Sequence, residues 1–218
     1  MSSYFYVQDG KAFLVGTCQK ANYTSYSKDA VRQYESAFYP AKLPGCGQDN
    51  LVIAANRISD AFGLVNTPLF LQAIVDDEGN VFVLEFAPRL GGGMCFRSIP
   101  MLSGFDYIGA SIASFLGEKV DVENIAHDDR CLLIGNMFAK PGVFDHVCGV
   151  AEALEKGFIS EFYPIKVKGG EIGADGSSGS RFGQFIALGE DLEDLLAKDA
   201  KARDVIRAYD ADCNELSY

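Results

Sequence analysis

Basic residues are scarce in this sequence. Lys and Arg number 19 against 30 Asp and Glu, and the formal net charge is −11. Nucleic acids and anionic membranes are bound by basic patches that neutralise phosphate, so this balance argues against both as partners. No apolar run reaches the ~20 residues that cross a bilayer. Met1 to Gly10 lacks a basic segment followed by an apolar one, so no signal peptide is expected. The six cysteines, at 18, 46, 95, 131, 148 and 213, contain no Cys-x-x-Cys pair, which argues against zinc. An even count permits disulfides, but 218 residues can bury a core without them. Free, mostly buried thiols in a reducing cytoplasm are the expectation. Internal repeats, low-complexity tracts and a Gly-Lys-Ser/Thr phosphate loop are all absent.

The composition that remains is that of an ordinary soluble globular chain, 48% hydrophobic and 22% charged. Tyr4–Val7 and Lys11–Val15 flank Asp9-Gly10, a hairpin signal. Thr17 to Ser36 reads as loop with a short helix at most, and Phe38-Tyr39-Pro40 and Pro44–Gly47 mark turns. From Gln48 the pattern is helical, with Leu51, Ile53, Ala54, Ile58, Ala61 and Phe62 assigned to the inner face and Gly63 to the stop. Leu69–Val75 and Val81–Phe86 read as strands around the turn Asp76–Asn80. A loop, Arg89–Gly93, precedes a helix over Phe105–Leu116. The acidic stretch from Val120 to Arg130 is a candidate boundary. Beyond it, strands are expected at Cys131–Phe138, Phe158–Val167 and Phe182–Leu188. Helices are expected at Val150–Lys156 and Leu192–Tyr209. Strands paired as hairpins with helices laid against them predict an α+β fold on an antiparallel sheet. The expected division is 1–119 and 131–218.

The second hairpin carries the chemistry. A turn symmetric about Glu78-Gly79 brings Gln72 and Glu85 opposite each other, with Cβ atoms ~5 Å apart, or ~7–8 Å on the diagonal. Two oxygen donors that interrupt apolar strands can share one hard cation such as magnesium, which is usually shared with substrate phosphates. On spacing alone, a solvent-facing pair or a structural Glu85–Arg89 ion pair is the simpler reading. Glu85-Phe86-Ala87-Pro88-Arg89 then puts a guanidinium four residues past the carboxylate. Gly91-Gly92-Gly93 supplies backbone amides that can approach a phosphate closely. A metal ligand beside an anion receptor is what phosphoryl chemistry requires.

Leu84-Glu85-Phe86-Ala87-Pro88-Arg89-Leu90-Gly91-Gly92-Gly93 resembles the Glu-x-Asn-Pro-Arg segment of ATP-grasp carboxylate–amine ligases. Asn66–Gln72 resembles their preceding strand, where carbamoyl-phosphate synthetases place a glutamine. Ser103–Ile108 resembles the Gly-x-Asp helix start after the loop. Lys140–Val143 and Ser180–Gly183 look like the C-terminal subdomain of the amino-acid ligase and phosphoribosylamine–glycine ligase-like branches. The resemblance implies that 1–119 is the C-terminal lobe of an ATP-grasp fold and 131–218 a small C-terminal α+β subdomain. It makes Gln72 and Glu85 ligands of magnesium, or manganese in its place. Arg89 becomes the contact to the γ-phosphate of ATP or to the acyl phosphate, and Gly91, Gly92 and Gly93 line the substrate side. The implied reaction joins a carboxylate to an amine, or to a thiol, at the expense of ATP. Position 87 departs from the pattern, with Ala where the family carries Asn as a further metal ligand. On this alignment the chain begins after the lid lysines and the adenine-contacting segment. The resemblance therefore implies an N-terminal ATP-grasp lobe in cis or trans, a homodimer or partner chain on the uncovered surface, and no turnover by these residues alone. The alternative is a degenerate, non-catalytic module that binds a partner chain or a small anion.

Four side chains outside that segment are weaker candidates. His127 and His146 fit no metal-ligand spacing. Cys95 has no neighbouring base, and Arg181 is a modest candidate for a substrate carboxylate beside the Gly173–Gly179 loop.

Overall fold

The computed structural model describes residues 1–21, 34–122, 125, 130–174 and 178–218. By contacts the chain forms two compact units, Met1–Gln19 with Tyr39–Asp129, and Lys20–Phe38 with Arg130–Tyr218. Ser2–Gln8 pairs antiparallel with Lys11–Ala21, as do Thr67–Val75 with Val81–Ala87 and Cys131–Phe138 with Arg181–Gly189, and helices pack against them, as the α+β expectation requires.

The first unit is built on β1 (Ser2–Gln8), β2 (Lys11–Ala21), β4 (Thr67–Val75) and β5 (Val81–Ala87), in the order β5-β4-β1-β2. Asp9 and Gly10, at φ 49° and 86°, both take the left-handed conformation that a two-residue hairpin turn demands. Helix α1 (Gly47–Phe62) covers one face of this sheet, where Leu51 and Ala55 close a core with Phe5, Val7, Leu69 and Leu71. On the other face α2 (Cys95–Ser103) and α3 (Tyr107–Leu116) surround the aromatic residues Tyr4, Tyr6, Phe105 and Tyr107. Tyr107 donates its hydroxyl to the Phe5 carbonyl at 3.1 Å. Asp106 caps α3 by accepting from the Gly109 amide at 2.8 Å.

The second unit orders β3 (Ser36–Tyr39), β6 (Cys131–Phe138), β11 (Arg181–Gly189) and β9 (Glu161–Pro164) as β3-β6-β11-β9. Tyr39, the last residue of β3, counts with the first unit. Short strands β7 (Gly142–Val143), β8 (His146–Cys148), β10 (Glu171–Ile172) and β12 (Arg207–Tyr209) and helices α4 (Val150–Glu155) and α5 (Leu192–Val205) complete it. Arg203 on α5 ties the unit together. It pairs with the buried Asp199 at 3.0 Å and donates to the carbonyls of Asn136 and Glu35 at 3.0 and 3.1 Å.

Several expectations need correction. The stretch expected as loop from Thr17 begins as strand, since β2 runs to Ala21, and residues 22–33 lie outside the described ones. Phe38 and Tyr39 close a strand before the turn at Pro40. The buried face of α1 is Leu51, Ala55 and Ser59, at four-residue spacing, while Ile53 and Phe62 are 48% and 64% exposed. Between the loop at Arg89–Gly93 and the expected helix over Phe105–Leu116 the structure adds α2, which carries Pro100 in its interior. The closing helix stops at Val205, and Arg207–Tyr209 pairs with β8. The thiols are all free, but Cys46, Cys148 and Cys213 are exposed and only Cys18 and Cys95 are buried. Two of the exposed three sit at turns, with Cys46 preceding α1 and Cys213 at φ 61°, where no core is within reach. The contact division sends 20–38 with the C-terminal segment. Glu35 explains this locally, since its carbonyl accepts from the Asn136 amide at 2.7 Å.

Candidate functional site

The β4–β5 hairpin opposes Gln72 to Glu85 directly. This register depends on a bulge. Val75 pairs with Val81, Ile74 with Phe82 and Ala73 with Val83, and then the count shifts so that Leu84 has no partner and Gln72 meets Glu85. A bulge of this kind re-aims a side chain without ending the ladder. Strand alternation then sets out two rows on one face of the sheet. One runs Cys18, Ser2, Gln72, Glu85, and the next runs Gly16, Tyr4, Phe70, Ala87. Ala87 therefore shares the face of Glu85, one row along.

Glu85 is exposed and Gln72 half-buried, and neither side chain has a hydrogen bond or ion pair to another described residue. The structural Glu85–Arg89 ion pair is not formed. Instead the Arg89 guanidinium stacks over the Phe70 ring, 5.6 Å from its centroid, and donates to the Leu90 carbonyl at 2.7 Å. Since Phe70 belongs to the second row, Arg89 lies on the face that carries Gln72 and Glu85. The hairpin and loop thus bring together two oxygen donors and one exposed guanidinium.

The three glycines differ in circumstance. A Cβ at Gly91 would lie 2.4 Å from Tyr4 Cε1 and 2.8 Å from Phe70 Cδ2, so the backbone here is pressed onto the aromatic row. Gly92 has nothing within 4 Å, and Gly93 holds φ at 72°. Gly91 is glycine because of packing, which residue spacing could not reveal. Next to it, Cys95 donates its thiol to the Gly91 carbonyl at 2.9 Å. Burial first, and Cys18 second, push the Cys95 thiol up to about 11, against a smaller opposing pull from Arg89. A thiol so held is neutral at physiological pH and a poor nucleophile. Burial likewise raises the phenols of Tyr4 and Tyr39, whose hydroxyls meet at 3.1 Å, and that of Tyr107. The floor of the site is therefore uncharged.

Among the described residues no group of three His, Cys, Asp or Glu could hold a metal ion. Gln72 and Glu85 offer two oxygens to one hard cation, whose remaining positions suit phosphate oxygens and water. This donor set fits a phosphate-bound magnesium and not a closed protein cage. Ile74 and Phe82, each 55% exposed, continue the same face past the pair as an uncovered apolar surface.

The weaker candidates lie elsewhere. His127 is outside the described residues. His146 pairs with Asp145 at 3.0 Å and stacks on Tyr209 in the second unit. Arg181 donates to Asn136 Oδ1 at 3.1 Å in that unit, and only Ser178–Ser180, a single 3-10 turn, and the ends of the Gly173–Gly179 loop are described.

Comparison of the sequence with protein-family models and with curated proteins finds no match in either. Solved structures do match. An L-amino acid ligase from Bacillus licheniformis superposes with a TM-score of 0.81 at 16% identity, over 96% of this chain and 53% of that one. Phosphoribosylglycinamide synthetase from Anaerococcus prevotii gives 0.80 at 17%, over 96% and 52%. The fold is that of the ATP-grasp ligases. The biotin carboxylase domain of Hydrogenobacter thermophilus 2-oxoglutarate carboxylase, solved with MgADP, ADP and bicarbonate, shares it at a TM-score of 0.67 and 14% identity, over 99% and 46%. At these identities the likeness is one of fold. The chain spans about half the length of each of these ATP-grasp proteins.

Proposed function

We propose that this chain is the C-terminal portion of an ATP-dependent carboxylate–amine ligase and supplies its metal and phosphoryl contacts. The observation that carries the reading is the in-register pair of Gln72 and Glu85, unpaired with other described residues and on the same face as Arg89. Gln72 and Glu85 would hold magnesium, or manganese in its place, which when bound offsets charge on the ATP phosphates. Arg89 presents a planar fork of donors to the γ-phosphate, or to the acyl phosphate made when the substrate carboxylate takes the phosphoryl group. The backbone of Gly91, Gly92 and Gly93 lines the side from which an amine would attack that acyl phosphate. Cys95, kept neutral, does not compete as a nucleophile.

An N-terminal ATP-grasp lobe, in cis or trans, would supply the remaining nucleotide contacts and cover Ile74 and Phe82. In its absence a second copy is the expected cover, since exposed apolar surface tends to be buried by association. Two protein oxygens and one arginine must meet an association cost of ~4–15 kcal/mol, so millimolar affinity or weaker is expected of the 218 residues alone. Calorimetry with magnesium-ATP, against Glu85→Gln, tests this. Weak binding that Glu85→Gln abolishes, at an unchanged melting temperature, supports the reading. Equal binding by both proteins sinks it. The second reading, a degenerate module for a small anion or partner chain, draws on Ala87, which offers no side-chain oxygen in the row beside Glu85. It expects inorganic phosphate to bind as well without magnesium as with it.

A further inference from the structure

Helix α3 carries apolar residues on its outer side as well as on its inner one. Tyr107, Ala110 and Ser111 are its buried side. Ile108, Ile112, Phe115 and Leu116 are 40%, 56%, 88% and 67% exposed. Their spacing, i, i+4, i+7 and i+8, sets them in one stripe along the helix. From Tyr107 to Gly117 there is no Asp, Glu, Lys or Arg. A helix at the surface of a globular unit normally turns charged residues to water, and one that is apolar on both sides is a helix with both sides buried. The helix is also fixed at both ends. Asp106 caps its start, Gly117 closes it in left-handed backbone at φ 73°, and the Tyr107 hydroxyl ties it to the Phe5 carbonyl. A stripe held in this way is pre-organised, so little ordering is lost when another surface covers it.

We propose that this stripe is the contact by which two copies of the chain associate, α3 against α3 about a twofold axis. The stripe is self-complementary, as an isologous contact requires. Ile108 lies four residues before Ile112, and Leu116 four residues after it. Antiparallel pairing therefore sets the two copies of Ile112 together at the axis and Ile108 on Leu116 of the partner subunit. The area suffices. Taking ~200 Å² for a whole large side chain, the exposed parts of the four come to roughly 500 Å² a copy. Two copies then hide about 1,000 Å², the size at which a specific interface begins. Charge favours this face over others for self-association. At −11, two copies repel wherever their acidic surfaces meet, and α3 presents no charge to repel. The stripe is separate from Ile74 and Phe82 on β4 and β5, and the proposal does not rest on the ligase reading.

Sedimentation equilibrium of the 218-residue chain tests this, over concentrations reaching about 200 µM, where an interface at the low end of the size range should already be populated. Sodium chloride should strengthen the dimer, because it screens the acidic repulsion and finds no ion pair along the stripe to weaken. Ile112→Lys sets two ammonium groups at the axis and should weaken association roughly tenfold or more. It also brings the net charge nearer zero, so repulsion between whole chains cannot account for the loss. Phe115→Ser should weaken association about tenfold. Both positions are exposed, so the melting temperature at low concentration should not move. Val65→Ser, at another exposed apolar position, should associate like the wild type. A chain that stays monomeric throughout overturns the proposal and leaves the stripe to a different chain. So does a dimer that keeps its affinity in Ile112→Lys, including one that Phe82→Ser breaks instead, since the contact would then lie on β5. Failure of the ligase reading would show separately, as absent magnesium-ATP binding in a protein that still pairs through α3.

Discussion

Replacing Gly91 with alanine should disturb both packing and anion binding, while the same change at Gly92 should do neither. The new methyl at 91 would sit 2.4 and 2.9 Å from Tyr4 carbons and 2.8 Å from Phe70. These rings cannot simply rotate away. Tyr4 is 3% exposed and Phe70 6%, and Tyr4 also stacks on Tyr39 and meets Tyr107 edge-on. Overpacking of this kind costs ~1–3 kcal/mol. For a chain of this size each kcal/mol shifts the melting temperature by ~2–4 °C, so a fall of roughly 2–12 °C is expected. Relief by lifting the loop would also move Arg89 off Phe70 and weaken anion binding. At Gly92 nothing lies within 4 Å, and its φ is not positive, so alanine should be within ~0.5 kcal/mol of wild type. Gly93→Ala should fall between, since a left-handed backbone costs an L residue ~1–2 kcal/mol. Thermal melts of the three variants, with phosphate titrations, give the order directly. A Gly91→Ala protein as stable as Gly92→Ala would refute the argument that the aromatic row sets this residue.

Ala87→Asn places a side-chain oxygen on the face of Glu85, one row along, and should tighten manganese binding several-fold in a relaxation titration; no change would remove position 87 from the metal site. Arg89→Lys should lower phosphate affinity about tenfold, because an ammonium reproduces neither the planar fork nor the stacking on Phe70, and equal affinity would count against a bidentate contact. Burial raises the Asp199 carboxyl above its ordinary range, with Arg203 pulling the other way. The folded chain then holds this proton more tightly than the unfolded one, so the contribution favours folding below the ordinary carboxylate range and is lost as pH rises through the raised value. Urea midpoints at about pH 4 and pH 7 should accordingly shift in favour of Asp199→Asn as pH rises, and a shift the other way would show that Arg203 dominates.

The second hairpin was legible because two apolar runs flank Asp76–Asn80, a turn that Asp76 holds by accepting from the Asn80 amide at 2.7 Å. The facing of Gln72 and Glu85 followed from assuming symmetry about Glu78-Gly79. The structure reaches the same pair by another route, since the turn centres on Glu78 and the bulge at Leu84 restores the offset. No local pattern announces that bulge. Helix α2 is short and holds Pro100, the residue least favourable in a helix interior, so its nine positions carry no helix signal of their own. An apolar stripe on α1 does not say which part of it meets a sheet, which is why Ile53 and Phe62 are exposed while Leu51 and Ala55 are buried. Gly91 and the seating of α2 depend on contacts between segments 80 or more positions apart, such as Gly91 with Tyr4 and Ile99 with Gly16, which periodicity does not encode. The Glu-x-x-Pro-Arg stretch was readable because its chemistry is carried on five consecutive positions.

The most direct test of the central claim is paramagnetic relaxation by manganese-ATP, followed at the backbone amides of the intact chain. The account predicts broadening centred on Gln72 and Glu85, extending to Ala87 and Arg89, and lost in Glu85→Gln while the rest of the spectrum is unchanged. Broadening that centres elsewhere, or that survives Glu85→Gln undiminished, would contradict it.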